Sequence, residues 1–242
     1  MDRQEAMRLF ALSARLWPAA ETAPLGPWLL RADPSTTRRA NALGVFGPPE
    51  ESMDRAMAGA RAWYAARGRR PLAQIRLEDR AARDWLAARG STPFGATCVM
   101  VVRPPVAAAR EGLRVESAPE PPAVWAEVES HGPEDFPARL AVMLRPERRS
   151  FVTLFEGAEA LGTAHVAAAE DLALISAVSV RPEARGRGLG GALMGAALER
   201  AAALGAARAT VQVEAANAPA RRLYARLGFR EAFSYAYAGI PE

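Results

Sequence analysis

The 242-residue chain contains no lysine, and all 31 of its basic residues are arginine. That absence excludes the Gly-Lys-Ser/Thr phosphate loop of nucleoside triphosphatases and any chemistry that needs a lysine Schiff base. Cysteine is nearly absent as well. Cys98 stands alone, so an internal disulfide and a CxxC redox or metal pair are both excluded. Two histidines, His131 and His165, cannot form an HExxH pair or a multi-histidine centre, and no metal is expected. A Ser-His-Asp set is arithmetically possible, but no nucleophile elbow supports it. No run of 18 apolar residues offers a membrane-spanning helix, and no basic-apolar leader opens the chain. The expectation is a soluble, cytoplasmic protein without a membrane partner.

Half of the residues are hydrophobic, and the length fits one large or two small domains. The net charge is +4 and the isoelectric point lies near 9.9. The arginines are interleaved with acids in basic runs no longer than two, so nucleic acid is not expected as a partner. A positive surface suited to phosphates is the milder reading.

The most informative stretch runs from Arg181 to Leu193. A strand-like segment, Ile175 to Val180, feeds a turn carrying Gly186, Gly188, Gly190 and Gly191, and a helical pattern starts near Leu189. Glycine lacks a Cβ, so a large anion can approach the main chain. The first turn of a helix offers unpaired N–H groups and the positive end of the helix dipole. Strand, glycine turn and helix together make a pyrophosphate-binding device. Arg185 and Arg187 add fixed positive charge beside it. A dinucleotide fingerprint is disfavoured because the glycines read G-x-G-x-G-G and Thr210 stands where an acid is needed.

Arg185-Gly-Arg-Gly-Leu-Gly190 resembles the Q/R-x-x-G-x-G/A loop of the GNAT N-acetyltransferase superfamily, which grips the pyrophosphate of coenzyme A. Asn217 to Phe229 resembles the family's second hallmark, N-x-x-A-x-x-L-Y-x-x-x-G-F, in the expected order. The elements from residue 113 onward fit this resemblance. Strands are expected at 113–117, 151–156, 160–168, 172–180, 208–214 and 229–238, with helices at 122–130, 134–144, 189–204 and 218–227. The implied fold class is mixed α/β, the GNAT acyl-CoA N-acyltransferase fold.

The first hundred residues echo the last. Gln74 to Gly90 spans 16 positions, as does Gln212 to Gly228, and the two blocks align at an offset of 138. Upstream, a strand-like 41–46 and a helix at 53–66 match the arrangement around 189–203. The chain reads as two tandem copies, with domains at 1–108 and 109–242. In the first copy the turn is Gly47-Pro-Pro-Glu-Glu-Ser52. Its prolines lack N–H donors and its glutamates repel phosphate, so this copy is expected to be degenerate. Trp28-Leu-Leu-Arg31 and Thr37-Arg-Arg-Ala-Asn41 resemble a pattern of tandem GNAT proteins. Trp28 is expected in the core and these arginines at the surface.

The resemblance implies direct transfer of an acetyl group from acetyl-CoA, as co-substrate, to a small-molecule or peptide amine. It assigns the pantetheine arm to Val178, Ser179 and Val180, and the pyrophosphate to Arg185, Gly186, Arg187, Gly188, Leu189 and Gly190. Asn217 and Tyr224, seven apart, are expected to share a helix face that lines the cofactor slot. Tyr224 is the candidate acid for the departing thiolate. Glu214 is the candidate base, with Glu129 and His165 as rivals; His165 is expected half-exposed on its strand. The acceptor pocket is expected near 122–150, and either a monomer or a homodimer is compatible. A protein N-terminal acetyltransferase and a non-catalytic acyl-CoA-binding module remain alternatives.

Overall fold

Asp2 opens the first helix: its carboxylate accepts the Glu5 N–H at 2.8 Å, satisfying a donor that a helix start leaves unpaired. The structure is a computed structural model that describes residues 2–104, 112–129 and 136–242. Two compact units are present. The first comprises Met1–Val99, Val213–Ala218 and Glu231–Glu242; the second comprises Met100–Gln212 and Pro219–Arg230. The expected boundary at 108/109 lies outside the described residues, and so does His131.

In chain order the first half holds α1 (Arg3–Leu16), β1 (Glu21–Leu25), β2 (Trp28–Ala32), β3 (Leu43–Gly44), α2 (Met53–Ala65), β4 (Leu72–Arg76), α3 (Arg80–Ala87) and β5 (Phe94–Val102). The second half holds β6 (Leu113–Ala118), α4 (Trp125–Val128), α5 (Phe136–Leu144), β7 (Arg148–Glu156), β8 (Glu159–Ala169) and β9 (Leu172–Val180). It continues with α6 (Leu189–Ala203), β10 (Arg208–Glu214), α7 (Ala218–Arg226) and β11 (Arg230–Gly239).

The first unit stacks its strands in the order β1-β2-β3-β4-β11, with only the β3/β4 pair parallel. Trp28, Leu30, Leu43, Met57, Tyr64, Ile75 and Leu86 form its core. Each large apolar side chain buried in this way contributes roughly 1.5–3 kcal/mol. The second unit runs β10-β9-β8-β7-β6, with β10/β9 parallel and the other pairs antiparallel. Leu189, Leu193 and Ala197 of α6 are all buried, as their helical spacing requires.

From residue 113 the order β-α-α-β-β-β-α-β-α-β is the one expected. The helix expected at 122–130 shrinks to α4, where Pro121 and Pro122 delay its start and the Pro122 carbonyl accepts the Trp125 N–H at 2.9 Å. Its expected end at Ser130, and the start of the next helix at Glu134, lie outside the described residues. The strand expected at 41–46 shrinks to β3. Asn41 is occupied with its own loop, accepting the Asp33 N–H and donating to the Ser35 and Thr37 carbonyls. The sequence pattern did not announce α1, β1, β2 or β5.

The offset of 138 recurs bond for bond. Gly90 N–H donates to Ala87 O and Ser91 N–H to Leu86 O; Gly228 N–H donates to Ala225 O and Phe229 N–H to Tyr224 O, all at 3.0 Å. Gly90 and Gly228 both take left-handed φ values, +74° and +84°, the conformation that ends a helix most cheaply in glycine.

Candidate active site

The site begins with a misfit between β8 and β9. They pair antiparallel from Ala169↔Leu172 to His165↔Ser176, after which Thr163 faces Ser179. Two steps along β8 thus oppose three along β9, which is a β-bulge. Within it Ala177 takes φ +50°, a left-handed conformation costing an alanine about 1–2 kcal/mol. On the other edge of β9, the parallel ladder to β10 closes at Val211↔Ile175. From Ser176 to Val180 the main chain of β9 is therefore released from that ladder. Val178, Ser179 and Val180 all lie in this stretch. Gly162 permits the closure behind it: a Cβ there would sit 3.1 Å from the Ser179 carbonyl oxygen and 3.2 Å from Leu193.

Beyond β9 the chain is anchored by Arg181, whose N–H donates to Leu161 O and whose Nε donates to Ala160 O at 2.7 Å. Arg185 folds back to donate from Nε to the Val180 carbonyl at 3.2 Å. Gly186 and Gly188 both take φ +77°, which only glycine adopts without strain. Gly188 is the N-cap of α6 and supplies no side-chain oxygen to it. No side-chain oxygen at the cap thus meets the first-turn donors at the positive end of this 15-residue helix. A Cβ at Gly186 or Gly191 would meet nothing within 4 Å, whereas one at Gly190 would reach Leu223 of α7 at 3.1 Å. Arg187 is exposed and ion-paired to Glu156 at 2.6 Å. That guanidinium holds the Glu156 carboxyl below the usual carboxylate range.

The corresponding helix start in the first unit is closed. Ser52 caps α2 by accepting the Arg55 N–H at 3.3 Å. Glu50 and Glu51, with Leu25, Gly26 and Pro49, line a cavity of about 260 Å³ beside it. Carboxylates at a helix start satisfy the dipole from within the chain and repel a second anion.

Tyr224 is buried on α7, its ring 5.7 Å from that of Phe229. Burial pushes its phenol up to about 12, so it carries its proton throughout the neutral range. α7 starts at Ala218, as expected, so Asn217 is the residue immediately before the helix that carries Tyr224. It is exposed, and its N–H donates to the Glu214 carbonyl at 2.9 Å. Glu214 is exposed at the end of β10. Asn217 and Glu214 belong to the first unit, whereas the β9 stretch, the glycine turn and Tyr224 belong to the second.

Both rival bases read differently in the structure. Glu129 is buried and paired with Arg139 at 2.8 Å, which commits it to the packing of α4 and α5. His165 is not half-exposed; it is 0% exposed, with Nδ1 3.1 Å from Ser176 Oγ and Nε2 3.0 Å from Met143 O. Strand alternation gives the side a residue faces but not what covers that side. Ser176 and Glu156 escaped the sequence reading, because neither belongs to a motif and their partners lie 11 and 31 residues away.

Trp28 is in the core, its Nε1 donating to Gly47 O at 2.8 Å. Arg31 departs from its expected surface position: it is buried, donating to Ala42 O and Gln74 Oε1. Arg38 is exposed and stacks over Phe94 and Tyr237. Next to the segment expected to bind the acceptor, a groove of about 400 Å³ is lined by Glu116, Glu120, Pro121, Pro122, Phe151 and Thr153. Among the described residues no group of three or more His, Cys, Asp or Glu could hold a metal ion. No described helix is long and apolar enough to cross a membrane.

A family model described as "Probable histone acetyltransferase Rv0428c C-terminal" matches residues 7–238. No curated protein matches the chain. Among solved structures, a GCN5-related N-acetyltransferase from Kribbella flavida is similar at TM-score 0.71 and 18% identity, over 98% of this chain and 96% of that one. A tandem GNAT protein from the clavulanic acid biosynthesis pathway is similar at TM-score 0.62 and 18% identity, over 76% and 68% of the two chains. A GCN5-related N-acetyltransferase from Sphaerobacter thermophilus gives 0.60 and 19%, over 78% and 68%. At these identities the likeness is one of fold.

Proposed function

The chain belongs to the Rv0428c C-terminal acetyltransferase family and has the GNAT fold, and from that premise we propose that it transfers an acetyl group from acetyl-CoA to a primary amine by direct attack on the thioester. The observation that carries this reading is the uncapped, glycine-lined start of α6, directly behind the released end of β9. A long ligand with a pyrophosphate at one end and amide groups along its arm matches that arrangement of donors.

In this reading the main chain from Arg185 to Gly190 takes the pyrophosphate. Val178, Ser179 and Val180 bond the pantetheine amides, and the Val180 N–H polarises the thioester carbonyl. Asn217 contributes to holding the cofactor. Tyr224, protonated at neutral pH, donates to the CoA thiolate as it leaves. Glu214, exposed at the end of β10, is the carboxylate candidate for the base. The first unit is a degenerate copy, with its own helix start closed by Ser52, Glu50 and Glu51. No metal enters the scheme.

The test has two arms. Acetyl-CoA should raise the melting temperature of the wild type, because a ligand bound to the native state stabilises it, and should fail to do so for Gly188→Glu. Equal shifts in both proteins would contradict the proposed phosphate site. Release of CoA is then followed with small amines and with lysine-bearing peptides, the second because the family description speaks of histone acetylation.

A further inference from the structure

The second unit holds a hydrogen-bonded chain that neither the phosphate turn nor Tyr224 uses. It runs from the Met143 carbonyl on α5 through His165 on β8 to the Ser176 hydroxyl on β9. A carbonyl can only accept, so in the neutral ring the proton sits on Nε2 and Nδ1 is left as an acceptor. The Ser176 hydroxyl therefore donates to Nδ1. The Phe151 ring, 5.0 Å from the imidazole between centroids, packs against it and helps to fix its plane.

The position of Ser176 sets this chain apart from an ordinary satisfied core histidine. Ser176 is the first residue of β9 beyond the end of the β10 ladder at Ile175, and it immediately precedes the bulged Ala177. It thus stands where β9 is released, three residues before Ser179. His165 is sealed from solvent, whereas Ser176 keeps 7% of its surface.

We infer that Ser176 and His165 form a proton relay that deprotonates the ammonium form of the acceptor before it attacks the thioester. The inference rests on the acetyl-transfer reading for its substrate but not for its geometry. In the relay an N–H bond of the ammonium breaks as its proton passes to Ser176 Oγ. The original hydroxyl proton moves to His165 Nδ1 at the same time. A neutral amine, an intact serine and an imidazolium result, and Nε2–H keeps its bond to Met143 O. Ser176 touches the substrate and His165 works through it. The relay and Glu214 are alternatives for this one proton.

The first test is independent of activity. With only two histidines in the chain, the ¹⁵N spectrum of histidine-labelled protein reads the tautomer of His165 directly, and the Nε2–H form is expected. An Nδ1–H tautomer would overturn the relay whatever the protein's activity. The second test compares Ser176→Ala with wild type across acceptor amines of differing basicity, with melting temperatures confirming that the variant folds. Alkyl amines with conjugate-acid pKa near 10 arrive protonated, and their kcat/KM should fall about a hundredfold. Weakly basic amines with pKa near 5 arrive neutral and should be spared. A merely structural serine would slow both classes alike, and that outcome, or no slowing at all, overturns the proposal. Glu214→Gln run in parallel reports on that carboxylate separately. A wild type that releases no CoA with any amine sinks the acetyl-transfer reading and the relay's role with it, while the tautomer result stands.

Discussion

Glu156 and Arg187 form a 2.6 Å ion pair on the turn proposed to hold the cofactor phosphates, so in the ligand-free protein a carboxylate already occupies one of the two arginines there. Phosphate has to draw Arg187 away from it. Glu156→Gln should therefore tighten CoA binding by about threefold, the scale of an exposed pair, when measured by calorimetry at low salt. The gain should fade as ionic strength rises. Arg187 lowers the Glu156 pKa, so the pairing is present above the ordinary carboxylate value and is lost only as pH falls through the lowered one. Across neutral pH the effect should be flat. A gain that persists in high salt would point to a contact other than this pair.

Two glycines three positions apart at the start of α6 should respond in opposite directions. Gly188 sits at φ +77°, and Gly188→Ala should destabilise the ligand-free protein by about 1–2 kcal/mol. Gly191 lies inside α6 with open space at its Cβ, and Gly191→Ala should stabilise it by about 0.5–1 kcal/mol. Urea titration of both variants checks the signs.

Tyr224→Phe keeps the ring that packs on Phe229 and removes only the hydroxyl. Its kcat should fall about a hundredfold while the Kd for acetyl-CoA holds. Because burial raises the Tyr224 phenol to about 12, the wild-type rate should show no loss from this group between pH 7 and its ordinary value of 10. Tyr64 is raised to about 12 as well. Groups raised on folding contribute fully below their unfolded value and lose that contribution as pH climbs through the folded one. Stability should therefore decline from pH 10 toward 12 and be shallower in that window for Tyr64→Phe.

The buried pair of Glu129 and Arg139 makes a stability prediction. Arg139→Met takes the guanidinium away from a carboxylate with no surface of its own and should destabilise the protein, by up to about 3–5 kcal/mol. Adding Glu129→Gln should recover much of that loss in chemical denaturation. A neutral single variant would mean that Glu129 is held by other groups.

Much of the second half was legible because its signals are local. Gly186 and Gly188 announce the turn, and the apolar, β-rich run at 172–180 announces β9 to the residue. Asn217 and Tyr224 show the limit of spacing arguments: seven positions make two full helical turns only within a helix, and α7 begins at Ala218, one residue after Asn217. The bulge at Ala177 was illegible, since alanine carries no tendency toward φ +50° and only the surrounding sheet holds it there. His165 was misread for a related reason. Its burial comes from α5 and Phe151, which no local pattern connects to it.

The two helix starts differ in where their counter-charge comes from, and this gives each a different dependence on supply. At α2 the Ser52 oxygen is tethered to the chain, so it is present at every metabolite level. At α6 Gly188 has no side chain to take that place, and in the proposed function the counter-charge is the pyrophosphate of the cofactor. Amide hydrogen exchange at Leu189 and Gly190 should then slow with cofactor concentration, while exchange at Arg55 stays constant. One helix start would act as a gauge of the acetyl donor, and the other as its internal reference.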